Sequence, residues 1–226
     1  MNRIPSVLKM HIRDKWSWFI IPWLVVLPSF FINLLISFFL NEPLVTGGLA
    51  SIYIYMFVAG IVILAQTFPF ALSMSVSRKD YFVGTSVMII LTNIGFACLL
   101  FLFGLIEGWT NAWGSDLHFF HLPYLSDGPL INQFWIPLII LLFFHYLGLM
   151  IAATHKRTGR NGLFMIYGIL LVVFTIIGFL ATYFNWYPSI FEWIIQQSAA
   201  DYALWMLPFI IVFAGVTYLL LRRATI

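Results

Sequence analysis

Asp116, His118 and His121 stand as D-x-H-x-x-H, oxygen and nitrogen donors of the types that bind zinc. Three such donors in one loop without a cysteine are too unspecific to assign a metal, and none is assigned. His145 is the next candidate. It lies well inside an apolar run, where an imidazole either packs with a hydrogen bond or takes part in a polar or proton pathway. Asn33, Gln66 and Asn93 are also polar side chains within apolar runs, and the same alternatives are open to them: hydrogen bonds between helices, or the lining of a pathway. The last candidate is the segment Ser77, Arg78, Lys79, Asp80, Tyr81, Phe82. Ser77 with an acidic residue three positions on is a helix-start signal. Two cations at the positive end of a helix macrodipole gain nothing from it, so Arg78 and Lys79 serve either to orient the chain in a membrane or to dock a partner. The patterns G-x-x-x-x-G-K-[ST], H-E-x-x-H and G-x-S-x-G are missing, which leaves no visible P-loop and no hydrolase machinery. We expect no enzymatic activity and no cofactor in this chain.

The elements that position these residues follow from composition. Of 226 residues, 62% are hydrophobic and 8% are charged, against roughly 25% charged in a soluble domain. Most of the chain must face lipid. A helix needs about 20 apolar residues to cross roughly 30 Å of hydrocarbon. Six stretches qualify, near Trp18 to Leu40, Leu49 to Ser73, Phe82 to Ile106, Phe134 to Thr154, Leu163 to Phe184 and Ala203 to Leu221. They are too long and too evenly apolar for barrel strands, and unpaired backbone is not tolerated in lipid, so the expected fold is an all-α integral membrane protein of six transmembrane helices. Residues 1–226 then form a single membrane domain. The first run is longer than a signal-peptide core of about 7–15 residues, and we read it as a retained span. The single Cys98 is expected to be a small buried apolar residue. Trp18, Trp23, Trp109, Trp135, Tyr183, Trp186 and Trp205 fall near span ends, as interfacial anchors do. Gly162, Gly168 and Gly178 suggest close packing of the fifth span.

The charges orient the bundle. All 11 Lys and Arg residues occupy four stretches: Arg3, Lys9, Arg13 and Lys15; Arg78 and Lys79; Lys156, Arg157 and Arg160; Arg222 and Arg223. The loops between hold Glu42, Glu107, Asp116, Asp127, Glu192 and Asp201, with only Asp14 and Asp80 among the cations. One side therefore carries +9 and the other −6, which together give the formal +3, so the net positive charge is no sign of nucleic-acid binding. By the positive-inside rule the basic side is cytoplasmic, which predicts both termini in the cytoplasm of a multi-pass membrane protein.

Outside the spans, Ile4, Leu8, Ile12 and Trp16 recur every four residues, with Val7 and Phe19 beside them, which predicts an amphipathic helix over residues 1–17 lying on an anionic leaflet. Residues 107–133 form a long aromatic loop with Trp109, Trp113, Phe119, Phe120 and Tyr124, expected to be an ordered cap. The segment from Asn185 to Tyr202 contains an apolar stretch too short to span, and a short re-entrant or interfacial helix before the last span is predicted there.

Taken together, an amphipathic helix before the first span, six spans, the Ser-Arg-Lys-Asp-Tyr-Phe-x-Gly segment from Ser77 to Gly84 and an apolar helix before the sixth span resemble the ABC-2 type transporter permeases, in particular small bacterial permeases made without their own ATPase domain. The likeness covers the whole chain as architecture and Ser77 to Gly84 as local sequence. It implies that Ser77, Arg78, Lys79, Asp80, Tyr81 and Phe82 form a coupling helix that docks in an ATPase subunit. It also implies a second permease chain, as homodimer or heterodimer, and ATP and Mg held by the partner ATPases. The expected function is ATP-driven transport, most simply export of a hydrophobic or amphipathic compound or peptide. The competing class is a non-transport membrane protein, either an immunity or sensing subunit or an enzyme with an unrecognised site.

Overall fold

The computed structural model describes residues 3–123 and 128–223; Tyr124 and Asp127, assigned above to the aromatic loop and the acidic side, lie outside the described residues. The fold is all-α apart from one small pairing. Helix α1 spans Ile4–Arg13, α2 Ile21–Ser37, α3 Ala50–Ser73, α4 Arg78–Trp109, α5 Leu130–Tyr183, α6 Tyr187–Gln196 and α7 Ala199–Arg222. A π-helical turn, Trp16–Ile20, leads into α2. Two short strands, β1 (Leu44–Val45) and β2 (Leu117–His118), pair in parallel and tie the first loop to the long one. Among the described residues, five helices are long and apolar enough to cross a membrane.

Helix α5 is 54 residues long, about 81 Å at 1.5 Å per residue, far more than one bilayer crossing. It breaks at Gly159, whose φ of 69° and ψ of −176° lie in a region essentially reserved for glycine. The predicted connector between the fourth and fifth apolar runs is thus helical on both sides of a single glycine break. The first half of α5 runs parallel to α7: Ile136 and Ile140 share a cavity with Ala199, Ala203 and Met206 at one end, and at the other the Arg157 guanidinium donates to the Arg223 carbonyl.

Helix α3 and the first half of α5 meet at two glycines. A Cβ added at Gly148 would sit 2.0 Å from the Phe57 carbonyl oxygen, and one at Gly60 2.4 Å from that of His145. The two backbones are in contact there, as small residues permit at helix crossings in membranes. By contrast, Gly168 and Gly178 have nothing within 4 Å, and Gly162 is close only to Thr158 of its own helix, so the fifth apolar run does not use its glycines to pack against this chain. Residues 160–180 are almost wholly exposed.

Two apolar clusters fill the bundle. One lies toward the basic end and includes Val7, Trp18, Leu64, Phe68, Tyr81 and Leu149. The other includes Val26, Phe30, Ile52, Phe96, Phe119 and Phe120. The second cluster means that residues 110–123 form an ordered cap, packed against α2 with Phe30 edge-on to Trp113 and Phe119 and tilted against Phe120 at centroid distances of 5.0 to 5.4 Å. The acidic side chain at its root is not a loop charge. Glu107 lies in the last turns of α4, 1% exposed. Its carboxylate accepts from the backbone N–H of Phe120 at 2.8 Å, of Phe119 and His121 at 3.2 Å, and from Trp113 Nε1 at 3.1 Å.

Candidate functional site

The four basic stretches converge at one end of the molecule, and the segment from Ser77 to Phe82 is at their centre. Helix α3 ends in a Schellman-type turn: the Val76 N–H reaches the Ala71 carbonyl at 3.1 Å, and Ser75 takes a left-handed φ of 59°. Helix α4 then starts as its sequence signal predicts, with Ser77 as N-cap accepting from the Asp80 N–H at 3.0 Å. The Asp80 carboxylate does not complete the capping box. It accepts instead from the backbone N–H of Arg3 at 3.4 Å, while Arg3 Nη1 donates to the Met74 carbonyl at 2.5 Å. Arg78 Nη1 reaches the Arg222 carbonyl at 3.5 Å, so Arg78, like Arg157, serves the open carbonyls at the C-terminal end of α7.

The six residues of the segment therefore divide. Tyr81 is fully buried, its hydroxyl 2.7 Å from Thr67 Oγ1 and its ring edge-on to Phe68 at 5.2 Å. Phe82 packs on Tyr218 at 5.3 Å. Those two hold the turn to α3 and α7 from beneath. Arg78 and Asp80 are half-buried and occupied with α7 and α1, and only Ser77 and Lys79 are exposed.

Helix α1 does not simply lie on a surface. Its Val7 fits against Gly84 of α4, where an added Cβ would come within 2.8 Å of it, and its His11 is fully buried with Nε2 2.9 Å from Thr85 Oγ1. The exposed side carries Ile12 and Trp16 from the predicted apolar stripe. The stripe that packs includes a histidine, which hydrophobic periodicity counts as polar. The π-helical turn after α1 aims Trp18 inward, 2% exposed, with its ring 5.1 Å from His11 and stacked at 5.8 Å on His145. Trp18 is thus a core residue, whereas Trp109, Trp186 and Trp205 are exposed as anchors would be.

Of the polar residues within apolar runs, two come together. Asn93 Nδ2 donates to the Ile89 carbonyl at 2.7 Å and reaches His145 Nδ1 at 3.2 Å. That network makes Nδ1 the acceptor and puts the His145 proton on Nε2. Both side chains are buried, and Nε2 of His145, Nε1 of Trp18 and Nδ1 of His11 have no hydrogen-bond partner among the described residues. The interior thus holds a line of rings, His11, Trp18, His145, with unmet polar valence. Asn33 and Gln66 lie elsewhere: Asn33 donates to the Ser29 carbonyl of its own helix at 2.8 Å, and Gln66 is exposed on α3. Cys98 is exposed as well, not buried.

The D-x-H-x-x-H residues line a cavity of about 290 Å³ with Glu107, and His118 Nδ1 sits 3.5 Å from the Glu107 carboxylate. Among the described residues no three His, Cys, Asp or Glu side chains converge as metal ligands. The cluster is part of the cap that Glu107 holds. No family model, curated protein or solved structure matches this chain. Any functional reading rests on the arrangement just described.

Burial pushes the His11 imidazole down from its usual range to about 4, with the nearby Asp14 carboxylate opposing the shift. The docked helix therefore binds fewer protons than the free one. His11 contributes its full stability above about pH 6.5, and that contribution drains away as pH falls toward about 4. Amide exchange of α1 is expected to be slow at pH 7 and, after correction for the intrinsic rate, faster at pH 4.5. His11→Leu should abolish most of the difference; an unchanged pH dependence in that variant would rule His11 out as its source.

Proposed function

We propose that this chain is the membrane-spanning permease subunit of an ATP-driven transporter of the ABC-2 type, powered by separate ATPase subunits that hold ATP and Mg. The observation that carries the reading is the α3–α4 turn: it is braced by α1, by the end of α7 and by buried Tyr81, yet leaves Ser77 and Lys79 open to a partner. A turn joined rigidly to four helices is suited to transmit a push. Closure of an ATPase dimer against it would tilt α3 and α4 together and rock the bundle between inward and outward access, the usual form of alternating access.

In this reading the chain crosses the bilayer six times. Support comes from the Gly159 break and from the parallel run of α7 and the first half of α5, which requires the stretch between them to return across the same thickness. The gathered basic end is cytoplasmic, with both termini on that side of a bacterial plasma membrane, and the acidic cap is outside. Helix α6, short and exposed on every residue, is the interfacial or re-entrant element before the last crossing. The exposed second half of α5 meets lipid and a second permease chain. Apart from Glu107, which holds the cap at the end of α4, the buried side chains among the described residues include no Asp, Glu, Lys or Arg, which suits a hydrophobic or amphipathic cargo moved outward, without ion coupling.

One cysteine tests orientation and docking together. In a Cys98→Ala background, Lys79→Cys should resist an impermeant thiol reagent added to intact cells and react in inverted membrane vesicles. Stripping the peripheral ATPase from the vesicles should increase that reaction several-fold. Labelling from outside would invert the orientation, and equal labelling with and without stripping would remove the docking role.

A further inference from the structure

A groove of about 620 Å³ lies at the basic end, between α1 and the last turn of α3. Its floor is apolar: Val7, Ala71 and Val76 are buried, and Phe70 and Met74 are exposed at its mouth. Three cations, Arg3, Lys9 and Arg13, line it against a single carboxylate, Asp14. Arg3 is turned to the Met74 carbonyl and ties the two walls together. Lys9 and Arg13 are exposed and make no ion pair among the described residues. The groove thus offers two uncommitted positive charges beside an apolar trough.

Its place in the fold decides the occupant. Helix α1 leads within a few residues into the first long apolar segment, and α3 is another helix of membrane-crossing length. Phe70 is one turn inside α3 from Met74, so the groove runs from the level of the cations along the apolar outer face of α3, where Phe70 is exposed. A ligand that matches both must be anionic at one end and hydrocarbon at the other, and must be available at a membrane surface. We infer that the groove is a binding site for an anionic glycerophospholipid, its phosphate held by Lys9 and Arg13 and its glycerol and first acyl carbons laid over Val7, Ala71 and Phe70. Lys and Arg near an anionic leaflet add attraction individually, and a built trough adds selection for lipid over free phosphate. Because Arg3 also binds Asp80, a lipid seated here stabilises α1 on the α3–α4 turn. The inference requires a membrane protein but not a transporter, so it stands or falls separately from the proposed function.

The test uses the purified full chain in neutral detergent, titrated with dioleoyl phosphatidylglycerol, dioleoyl phosphatidylcholine or glycerol 1-phosphate, with bound lipid read by native mass spectrometry and stability by Tm. Phosphatidylglycerol is expected to bind and raise Tm, and the other two to do neither. Lys9→Gln with Arg13→Gln should weaken phosphatidylglycerol binding about tenfold or more. Lys156→Gln with Arg160→Gln, which removes the same charge elsewhere at the basic end, should leave it unchanged. Intact folding of both variants is checked by elution volume and by tryptophan fluorescence. Equal weakening in the two variants would reduce the effect to diffuse surface charge and overturn the site. So would unchanged binding in the groove variant, equal binding of phosphatidylcholine, or equal binding of glycerol 1-phosphate, the last making a free phosphate ester the ligand.

Discussion

Replacing Glu107 with alanine is expected to release the cap over residues 110–123 and lower the stability of the protein by about 4 kcal/mol or more. The carboxylate accepts from three consecutive backbone N–H groups, Phe119, Phe120 and His121, and from the Trp113 indole. Hydrogen bonds to a charged acceptor contribute about 1.5–3 kcal/mol each, and although they do not add fully, their loss leaves buried donors without partners. The packing on Phe30 and the β1–β2 pairing remain, but they must then hold an unfavourable backbone alone. Asn111, Ala112 and Trp113 take positive φ values of 50° to 63°, left-handed backbone that costs non-glycine residues free energy and holds only when its surroundings enforce it. Glu107→Gln keeps one acceptor and should fall between alanine and wild type. Limited proteolysis between α4 and α5, with Tm in detergent, gives the readout. Wild-type protease resistance and Tm in Glu107→Ala would show that aromatic packing on Phe30 alone holds the cap.

The second large effect is expected at Gly148, where an added methyl meets backbone and not a flexible side chain. Its Cβ would lie 2.0 Å from the Phe57 oxygen and 3.0 Å from the Phe57 carbonyl carbon. Neither atom can yield unless α3 and α5 separate by more than about 1 Å, and overpacking of this kind costs about 1–3 kcal/mol or more. His145 and Gly60 share the crossing, so separation also loosens the contact of His145 with Asn93 and Trp18. Gly148→Ala should lower Tm and change the fluorescence of Trp18. Gly168→Ala, with open space around it, should be neutral or stabilise by up to about 1 kcal/mol through helix propensity. The same substitution is thus predicted to destabilise on one side of the Gly159 break and not on the other. Equal effects at both would contradict the backbone contact.

These two sites also show where a sequence of this kind can be read and where it cannot. The apolar runs were plain, and so was the start of α4, because Ser77 and Asp80 act within one turn of each other. Rotation about the helix axis was not. Helices that are apolar on every side carry no stripe to say which face packs. For that reason Cys98 and Gln66 face outward, Trp18 faces inward, and the packed glycines are Gly60 and Gly148, whereas sequence pointed to Gly162, Gly168 and Gly178. The burial of Glu107 and His11 is hidden from the sequence for a different reason. Each is a polar residue whose burial is made acceptable by partners far along the chain, backbone N–H groups 12 to 14 residues on for Glu107 and Thr85 for His11. A seven-residue pattern cannot see them. The segment from Ser77 to Phe82 was recognisable as a unit, but its division into exposed Lys79, braced Arg78 and Asp80, and buried Tyr81 needed α1 and α7 in place.

That division sharpens the most direct test of the functional account. The chain is isolated in mild detergent from its native host, and the co-purifying ATP-hydrolysing polypeptide is quantified per permease for wild type and for Lys79→Glu. The substitution reverses the one exposed charge of the turn and removes no hydrogen bond or ion pair among the described residues. Wild type should retain an ATPase. Lys79→Glu should keep its elution volume and Tm while losing at least about tenfold in association, the size of effect that one charged contact of about 1.4 kcal/mol or more produces. Wild-type protein that carries no ATPase, or a Lys79→Glu variant that carries as much as wild type, would contradict the account.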